Sequence, residues 1–202
     1  MTENDQKEVS SETQTAETNS LEKPKKERRK LTTHDLILYI TQNALIAALY
    51  FVLTSFTQPI SFGAKQMRLA EALGLLCFWR PDFAIGMTLG CFLSNVYSYS
   101  PWDMLLGTMA TLISCLLISY ASKWLWMGII YPVVINGFVV GAEITWIFSD
   151  GGSAYDFWIN SGWVGLGELG AMSIGYLLWV IIDHLKIFKT VFQPTRHVDV
   201  KW

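Results

Sequence analysis

Three glutamates and an arginine stand within apolar stretches of this sequence, at Arg68, Glu71, Glu143 and Glu168. An ionisable side chain is costly inside a membrane span, so one found there is a functional candidate by default. Four such groups cannot all face lipid, and a water-accessible cavity is the arrangement that costs least. We therefore predict that these side chains line a cavity that binds a small molecule.

Polar and aromatic residues recur beside two of these glutamates. Asn136 and Glu143 are spaced to share one face of a helix, and Trp146 follows one turn beyond Glu143. Trp163 precedes Glu168 in the next apolar stretch. Asn136, Glu143 and Trp146, at spacings of seven and three residues, lie above one another on a helix surface. We expect Asn136, Trp146 and Trp163 to contact the same ligand as the glutamates.

Each charged group also has a purely structural interpretation. Arg68 and Glu71 are three residues apart and can pair with each other on a helix. Glu168 lies in a GLGEL run and can hold a loop or a helix end through hydrogen bonds. Glu143 has no Lys, Arg or His within two turns along its own stretch, which makes it the strongest candidate for ligand contact.

The composition indicates a membrane protein. The chain of 202 residues is 51% hydrophobic and 16% charged, and residues 1–35 hold 15 of its 32 charged residues. Soluble domains carry about 25% charged residues. The net charge of −2 leaves no basic face that would suit nucleic acid. The sequence lacks phosphate-binding, nucleophile and metal-ligand motifs, so it predicts no enzyme activity, cofactor or metal.

The uncharged stretches predict an all-α integral membrane protein, a bundle of six transmembrane helices. A crossing needs about 20 mostly apolar residues. The second stretch is shorter than that and is either a short span or a helix that stops part-way. The predicted spans are residues 36–56, 67–79, 83–97, 104–121, 124–148 and 157–182.

Charge placement predicts the domain organisation and the topology. Residues 1–30 are polar and end in a basic block, which predicts a disordered cytoplasmic tail near anionic lipid. Residues 31–190 form the six-helix substrate-binding domain, and residues 191–202 form a short cytoplasmic tail. Cytoplasmic loops carry an excess of Lys and Arg. With six spans, both termini in the cytoplasm satisfy this rule in a multi-pass protein of the cell membrane.

Small residues predict close helix contacts in the membrane. Gly86, Gly90 and Ser94 form a stripe that we expect to serve internal packing. Asp103 follows Ser-Pro-Trp at a predicted helix start, where it is expected to act as a cap. The first span carries an alanine patch that could instead be a docking face for another membrane protein. The patch consists of Ala44, Ala47 and Ala48.

These features resemble the QueT-type substrate-binding subunits (S-components) of energy-coupling-factor transporters, over residues 31–188. The resemblance includes the alanine-rich first span and PISFGAKQMRLAEALGLL at residues 59–76. It continues in GMTLGCFLSNVYS, PWDMLLGTMATL, NGFVVGAEI and VGLGELG. The sequence departs from the expected pattern at Ala64-Lys65 and in its long charged tail.

The resemblance implies capture of a queuosine precursor outside the cell, foremost preQ1 (7-aminomethyl-7-deazaguanine). It implies that Glu71, Glu143 and Glu168 hold the ammonium group and the guanine edge. Gln66, Asn95 and Asn136 would bond the ring, while a membrane coupling subunit and two cytoplasmic ATPases supply the drive. Three alternatives stay open: an S-component for thiamin, folate or riboflavin, a stand-alone secondary carrier, and a structural membrane protein without a ligand.

Overall fold

The structure is a computed structural model that describes residues 32–58, 67–96, 101–149, 151–183, 193 and 195–196. Within these residues the chain forms six helices and no β-strand, which confirms the predicted all-α class. The fifth helix continues as a π-helical turn, Ile144–Phe148. The helices are α1 (Thr33–Phe56), α2 (Leu69–Phe78), α3 (Phe83–Asn95), α4 (Pro101–Ala121), α5 (Met127–Glu143) and α6 (Ala154–Asp183).

The chain divides into two units, Met1–Leu36 and Ile37–Trp202. Of the first unit only residues 32–36 are described, so the predicted tail of residues 1–30 lies outside the described residues. Asp35 Oδ2 accepts hydrogen bonds from the Thr32 backbone N–H (3.1 Å) and hydroxyl (2.7 Å). Thr32 Oγ1 accepts in return from the Asp35 N–H at 3.3 Å. This reciprocal cap fixes the start of α1.

Four of the helices are long and apolar enough to cross a membrane, namely α1, α4, α6 and α5 with its π-helical turn. The other two are shorter. The ten residues of α2 are wound as a 3₁₀ helix, which rises about 2.0 Å per residue, and span about 20 Å. The 13 residues of α3 also span about 20 Å. Both stop short of the roughly 30 Å hydrocarbon core of a bilayer.

The hydrophobic core is centred on α2. Eight of its ten residues are buried, among them Leu75, Cys77 and Phe78. Side chains from α1, α3, α4 and α6 pack around it. A helix that is apolar on every side is stable only when neighbouring elements or lipid surround it. Here the longer helices surround α2, so its short length does not expose it.

Large hydrophobic side chains cover the outside of the described region. They are exposed on α1, α3, α4, α5 and α6, opposite the faces that pack inward. A soluble monomer rarely exposes such extensive apolar surface. Lipid tails therefore suit this surface, in agreement with the predicted membrane spans. The most exposed of these side chains are Phe56, Tyr155, Tyr120, Ile181, Trp158 and Leu177.

The predicted glycine stripe brings α3 against α1. A Cβ added to Gly86 would lie 2.6 Å from the Asn43 carbonyl oxygen, and one added to Gly90 would lie 2.7 Å from Tyr50 Cβ. Asn43 Oδ1 also accepts a hydrogen bond from the Gly86 N–H at 2.8 Å. These contacts require residues without a side chain, so the packing role predicted for the stripe is confirmed.

The described C-terminal residues close one end of the helices. The backbone N–H groups of Thr195 and Arg196 donate to the Trp79 carbonyl oxygen, just beyond α2, at 3.1 and 3.0 Å. Arg196 Nη1 donates to the Ser119 carbonyl oxygen near the end of α4 at 2.6 Å. The last carbonyl groups of a helix have no partner within the helix. Residues 195 and 196 therefore satisfy carbonyl groups at the ends of two helices.

Candidate functional site

Four buried carboxylates and one guanidinium group converge where α2 begins, at the end of that helix away from Trp79. Arg68 immediately precedes α2 and Glu71 lies in its first turn, while Asp103 lies in the first turn of α4. Glu143 ends α5, and Glu168 lies near the middle of α6. Arg68 is within electrostatic range of all four acids. We call these five residues the carboxylate cluster.

Helix directions explain why residues distant in sequence meet here. The starts of α2 and α4 and the ends of α3 and α5 lie at this end, because successive helices run in opposite directions. Glu168 is 14 residues beyond the first residue of α6, or about 21 Å along that helix. The cluster therefore joins residues at the ends of α2, α4 and α5 to one near the middle of α6.

Arg68 forms its ion pair with Asp103. The Nη2 to Oδ1 distance is 3.1 Å, and both side chains are buried. Asn95 at the end of α3 donates to the Asp103 carbonyl oxygen at 3.1 Å. A Cβ on Gly107 would lie 2.9 Å from Asn95 Nδ2 and 3.1 Å from Arg68 Nη1. Gly107 thus leaves the space in which the arginine and the amide lie beside α4.

Glu71 is held by neutral donors. Its Oε1 accepts hydrogen bonds from the Tyr50 hydroxyl at 2.6 Å and from the Thr111 hydroxyl at 2.7 Å. Tyr50 comes from α1 and Thr111 from α4, and both are buried. Neither hydroxyl carries a charge, so the two bonds orient the carboxylate without neutralising it.

Glu143 is the least satisfied member of the cluster. Its exposed fraction is only 1%, yet neither carboxylate oxygen has a hydrogen-bond partner within the described part of the chain. It stands where the α-helical part of α5 changes to the π-helical turn. Such π-helical insertions frequently occur at functional sites. A buried carboxylate without a partner is costly, so this is the group most in need of an external donor.

Glu168 is partly satisfied. Asn136 of α5 lies within hydrogen-bonding distance of its carboxylate. Its Oε1 is buried and has no hydrogen-bond partner among the described residues. The structure therefore brings Arg68, Glu71, Asn95, Asn136, Glu143 and Glu168 of the predicted site residues to one region.

The predicted aromatic residues lie elsewhere. Trp146 is 54% exposed and stacks on Phe157, with ring centroids 5.0 Å apart. Trp163 is also exposed, on α6. The structure does not bring either indole among the buried carboxylates. Gln66 lies outside the described residues.

The predicted alanine patch divides between two environments. Ala47 is buried, and its carbonyl oxygen would lie 2.8 Å from a Cβ on Gly90, so it packs inside the protein. Ala44 and Ala48 are exposed on the other side of α1. Only these two remain available on the surface of the described chain.

Sequence reasoning missed three members or neighbours of the cluster. Asp103 was expected to cap a helix, and its pairing with Arg68 joins residues 35 positions apart. Tyr50 and Thr111 gave no signal beyond being polar groups in apolar stretches. Polarity at such positions, including an acid in the first turn of α4, was the one clue that could have identified them.

The described residues contain no group of three or more His, Cys, Asp or Glu side chains arranged to hold a metal ion. The cluster formally carries four negative charges against one positive charge. Its arrangement suits a guest that is cationic and rich in hydrogen-bond donors, since such a guest supplies what the carboxylates lack.

Comparison with known proteins gives one family and one curated relative. A family model described as QueT transporter matches residues 40–184. The chain is 26% identical over 162 residues to a protein of Lactococcus lactis subsp. cremoris (strain MG1363) named queuosine precursor transporter QueT. That alignment covers 73% of this chain and 90% of the relative. No solved structure matches.

Proposed function

Because the chain belongs to the QueT transporter family, we propose that it binds the queuosine precursor preQ1 as the S-component of an energy-coupling-factor transporter. The relative in Lactococcus lactis is named a queuosine precursor transporter. The family and the apolar helices make this chain a multi-pass membrane protein. Beyond the family, we propose which molecule is bound, which side chains bind it and which subunits assemble with this chain.

The observation that carries the proposal is the buried Glu143 carboxylate with neither oxygen hydrogen-bonded by a described residue. Burial without a partner destabilises a charged group strongly. A cationic guest would satisfy it and would also reduce the negative charge of the carboxylate cluster. PreQ1 carries an ammonium group on a short arm and two adjacent N–H donors on its guanine edge.

Two carboxylates with unsatisfied oxygens match the two donor groups of preQ1. One carboxylate can accept both guanine-edge donors, and the other can hold the ammonium group. Glu143 and Glu168 are the two glutamates with buried carboxylate oxygens that accept no hydrogen bond from a described residue. Asn136, which lies beside Glu168, would bond the ring together with Gln66 and Asn95. Trp146 and Trp163 would have to turn inward from their exposed positions to stack on it.

Transport requires partners in this proposal. A membrane coupling subunit would dock against the exposed Ala44 and Ala48, where small side chains permit close helix contact. Two cytoplasmic ATPases would supply the energy. Both termini would face the cytoplasm, and the carboxylate cluster would open to the outside for capture of the guest.

The proposal is tested by calorimetric titration of the purified chain with preQ1. Guanine and the neutral nitrile 7-cyano-7-deazaguanine serve as matched controls that lack the ammonium group. We expect preQ1 to bind at least tenfold more tightly than either control, which corresponds to about 1.4 kcal/mol. Equal affinity for the nitrile would contradict the assigned role of the ammonium group. Preferential binding of thiamin, folate or riboflavin would identify a different S-component.

A further inference from the structure

Glu71 lies at a junction of three helices. It belongs to α2, and its Oε1 accepts hydrogen bonds from Tyr50 of α1 at 2.6 Å and Thr111 of α4 at 2.7 Å. All three side chains are buried. The two donors lie 21 and 40 residues from Glu71 in sequence, so the junction exists only in the folded chain.

The junction distinguishes Glu71 from Glu143. Two hydroxyl donors on one oxygen restrict the rotation of the Glu71 carboxylate, whereas Glu143 has no such donors among the described residues. Hydrogen bonds to an ionised acceptor are stronger than those between neutral groups. The two bonds therefore hold the Glu71 carboxylate in a fixed direction, within electrostatic range of Arg68 and Glu168.

We infer that Tyr50 and Thr111 are positioning residues of the guest site and that they affect the guest through Glu71. The inference rests on the proposed function for the identity of the guest. The Glu71 carboxylate is held in one orientation near Glu168. Glu143 and Glu168 supply the carboxylate oxygens that have no described hydrogen-bond partner. Loss of either hydroxyl lets the Glu71 carboxylate rotate. The electrostatic attraction between the carboxylate cluster and the cationic guest then becomes weaker.

A double-mutant cycle tests this dependence, with the affinity for preQ1 measured by calorimetry. Tyr50→Phe and Thr111→Val each remove one hydroxyl with little change of shape. We expect each to weaken binding about fivefold, because the Glu71 carboxylate is then held by one hydrogen bond instead of two. In a Glu71→Ala background, we expect neither substitution to weaken binding further, because the group on which they act is absent.

Thr108→Val is the matched control. Thr108 is buried on α4, one turn before Thr111, and its hydroxyl has no hydrogen-bond partner within the described residues. We expect this variant to bind preQ1 like the parent chain. Thermal unfolding of every variant, without preQ1, separates a loss of folded protein from a loss of affinity.

The outcomes separate the inference from the proposed function. If the parent chain does not bind preQ1, both are overturned. If the parent binds preQ1 but Tyr50→Phe or Thr111→Val costs as much affinity without Glu71 as with it, the inference alone is wrong. Unchanged affinity in Tyr50→Phe and Thr111→Val would overturn it equally.

Discussion

Arg68 and Asp103 form a buried ion pair, with 3.1 Å between Nη2 and Oδ1, that ties the start of α2 to the first turn of α4. The pair engages the single basic residue of the carboxylate cluster. Glu71, three residues beyond Arg68, is hydrogen-bonded by hydroxyl groups. Arg68 therefore fixes the geometry of two helices and leaves the carboxylates of Glu143 and Glu168 for other donors.

Breaking this ion pair on one side is expected to destabilise the protein. Asp103→Leu leaves a buried guanidinium group without its carboxylate, and Arg68→Met leaves a buried carboxylate. Removing one partner of a buried pair costs about 3–5 kcal/mol. We expect each single variant to lose about 3 kcal/mol in the free energy of unfolding, measured by denaturation in detergent.

The double variant provides the control for that prediction. If the two side chains stabilise the fold mainly through each other, Arg68→Met with Asp103→Leu should lose less free energy of unfolding than the sum of the two single losses. Additive losses in the double variant would show that the two side chains stabilise the fold independently.

Glu143→Gln is expected to weaken preQ1 binding at least tenfold, or about 1.4 kcal/mol. The amide keeps the shape of the side chain but loses the charge that would hold the guest. The same substitution should not lower thermal stability, because it removes a buried charge whose oxygens have no described hydrogen-bond partner. Calorimetry and thermal unfolding measure the two effects.

Asp156→Asn is the matched control for Glu143→Gln. Asp156 is exposed at the start of α6, where its carboxylate accepts hydrogen bonds from Ser153. The same loss of a carboxylate there should leave the affinity for preQ1 unchanged. Affinity equal to that of the parent chain in Glu143→Gln would remove Glu143 from the proposed site.

Gly107→Ala is expected to disturb the carboxylate cluster by steric contact. Its new Cβ would lie 2.9 Å from Asn95 Nδ2 and 3.1 Å from Arg68 Nη1, so both groups must move. We expect a loss of about 1–3 kcal/mol in the free energy of unfolding, as for other overpacked sites.

Gly162→Ala is the comparison for that substitution, because no heavy atom lies within 4 Å of the position of its added Cβ. An exposed helical glycine replaced by alanine gains up to about 1 kcal/mol from helix propensity. In thermal unfolding, we expect Gly107→Ala to lower the melting temperature and Gly162→Ala to raise it. A neutral Gly107→Ala would show that Arg68 and Asn95 can shift without cost.

Ala48→Trp is expected to abolish uptake while leaving preQ1 binding intact. Ala48 is exposed on α1, and a large ring there would block close approach of a coupling subunit. Leu49→Trp is the control, since Leu49 is also exposed but lies about 100° around the helix. Uptake by cells and binding by the purified chain are measured separately. Loss of both activities in Ala48→Trp would contradict a docking role.

Arg196→Ala is expected to lower the free energy of unfolding by about 1–2 kcal/mol, since it removes a charge-assisted hydrogen bond. Its Nη1 lies 2.6 Å from the Ser119 carbonyl oxygen, and its guanidinium carbon lies 5.1 Å from the Tyr120 ring centroid. Lys123→Ala is the control, because Lys123 is an exposed cation shortly after α4. Equal melting temperatures for the two variants would show that the Arg196 contacts contribute nothing.

The sequence was sufficient to place the helices because lipid imposes a length and a polarity on them. The predicted span at residues 36–56 corresponds to α1, and the one at 104–121 falls within α4. The lack of a Lys, Arg or His within two turns of Glu143 on its own stretch agrees with the lack of a hydrogen-bond partner for its carboxylate among the described residues.

Local spacing did not predict the partners of Arg68 and Glu71. Their separation by three residues fits pairing on a helix, yet Arg68 pairs with Asp103 and Glu71 accepts from Tyr50 and Thr111. These contacts bridge 21 to 40 residues of sequence. Such distances are set by how the helices pack, which no local pattern encodes. The 3₁₀ winding of α2 was not predicted either.

The contacts of Thr195 and Arg196 constrain how the protein is made. They supply hydrogen-bond donors to the Trp79 carbonyl oxygen from 116 and 117 residues later in the chain. During synthesis that oxygen must find another donor, and hydrocarbon offers none. The turn after α2 must therefore stay in contact with water while the later helices are inserted. Thr195 and Arg196 can bond its carbonyl oxygen only after α6 has been synthesised.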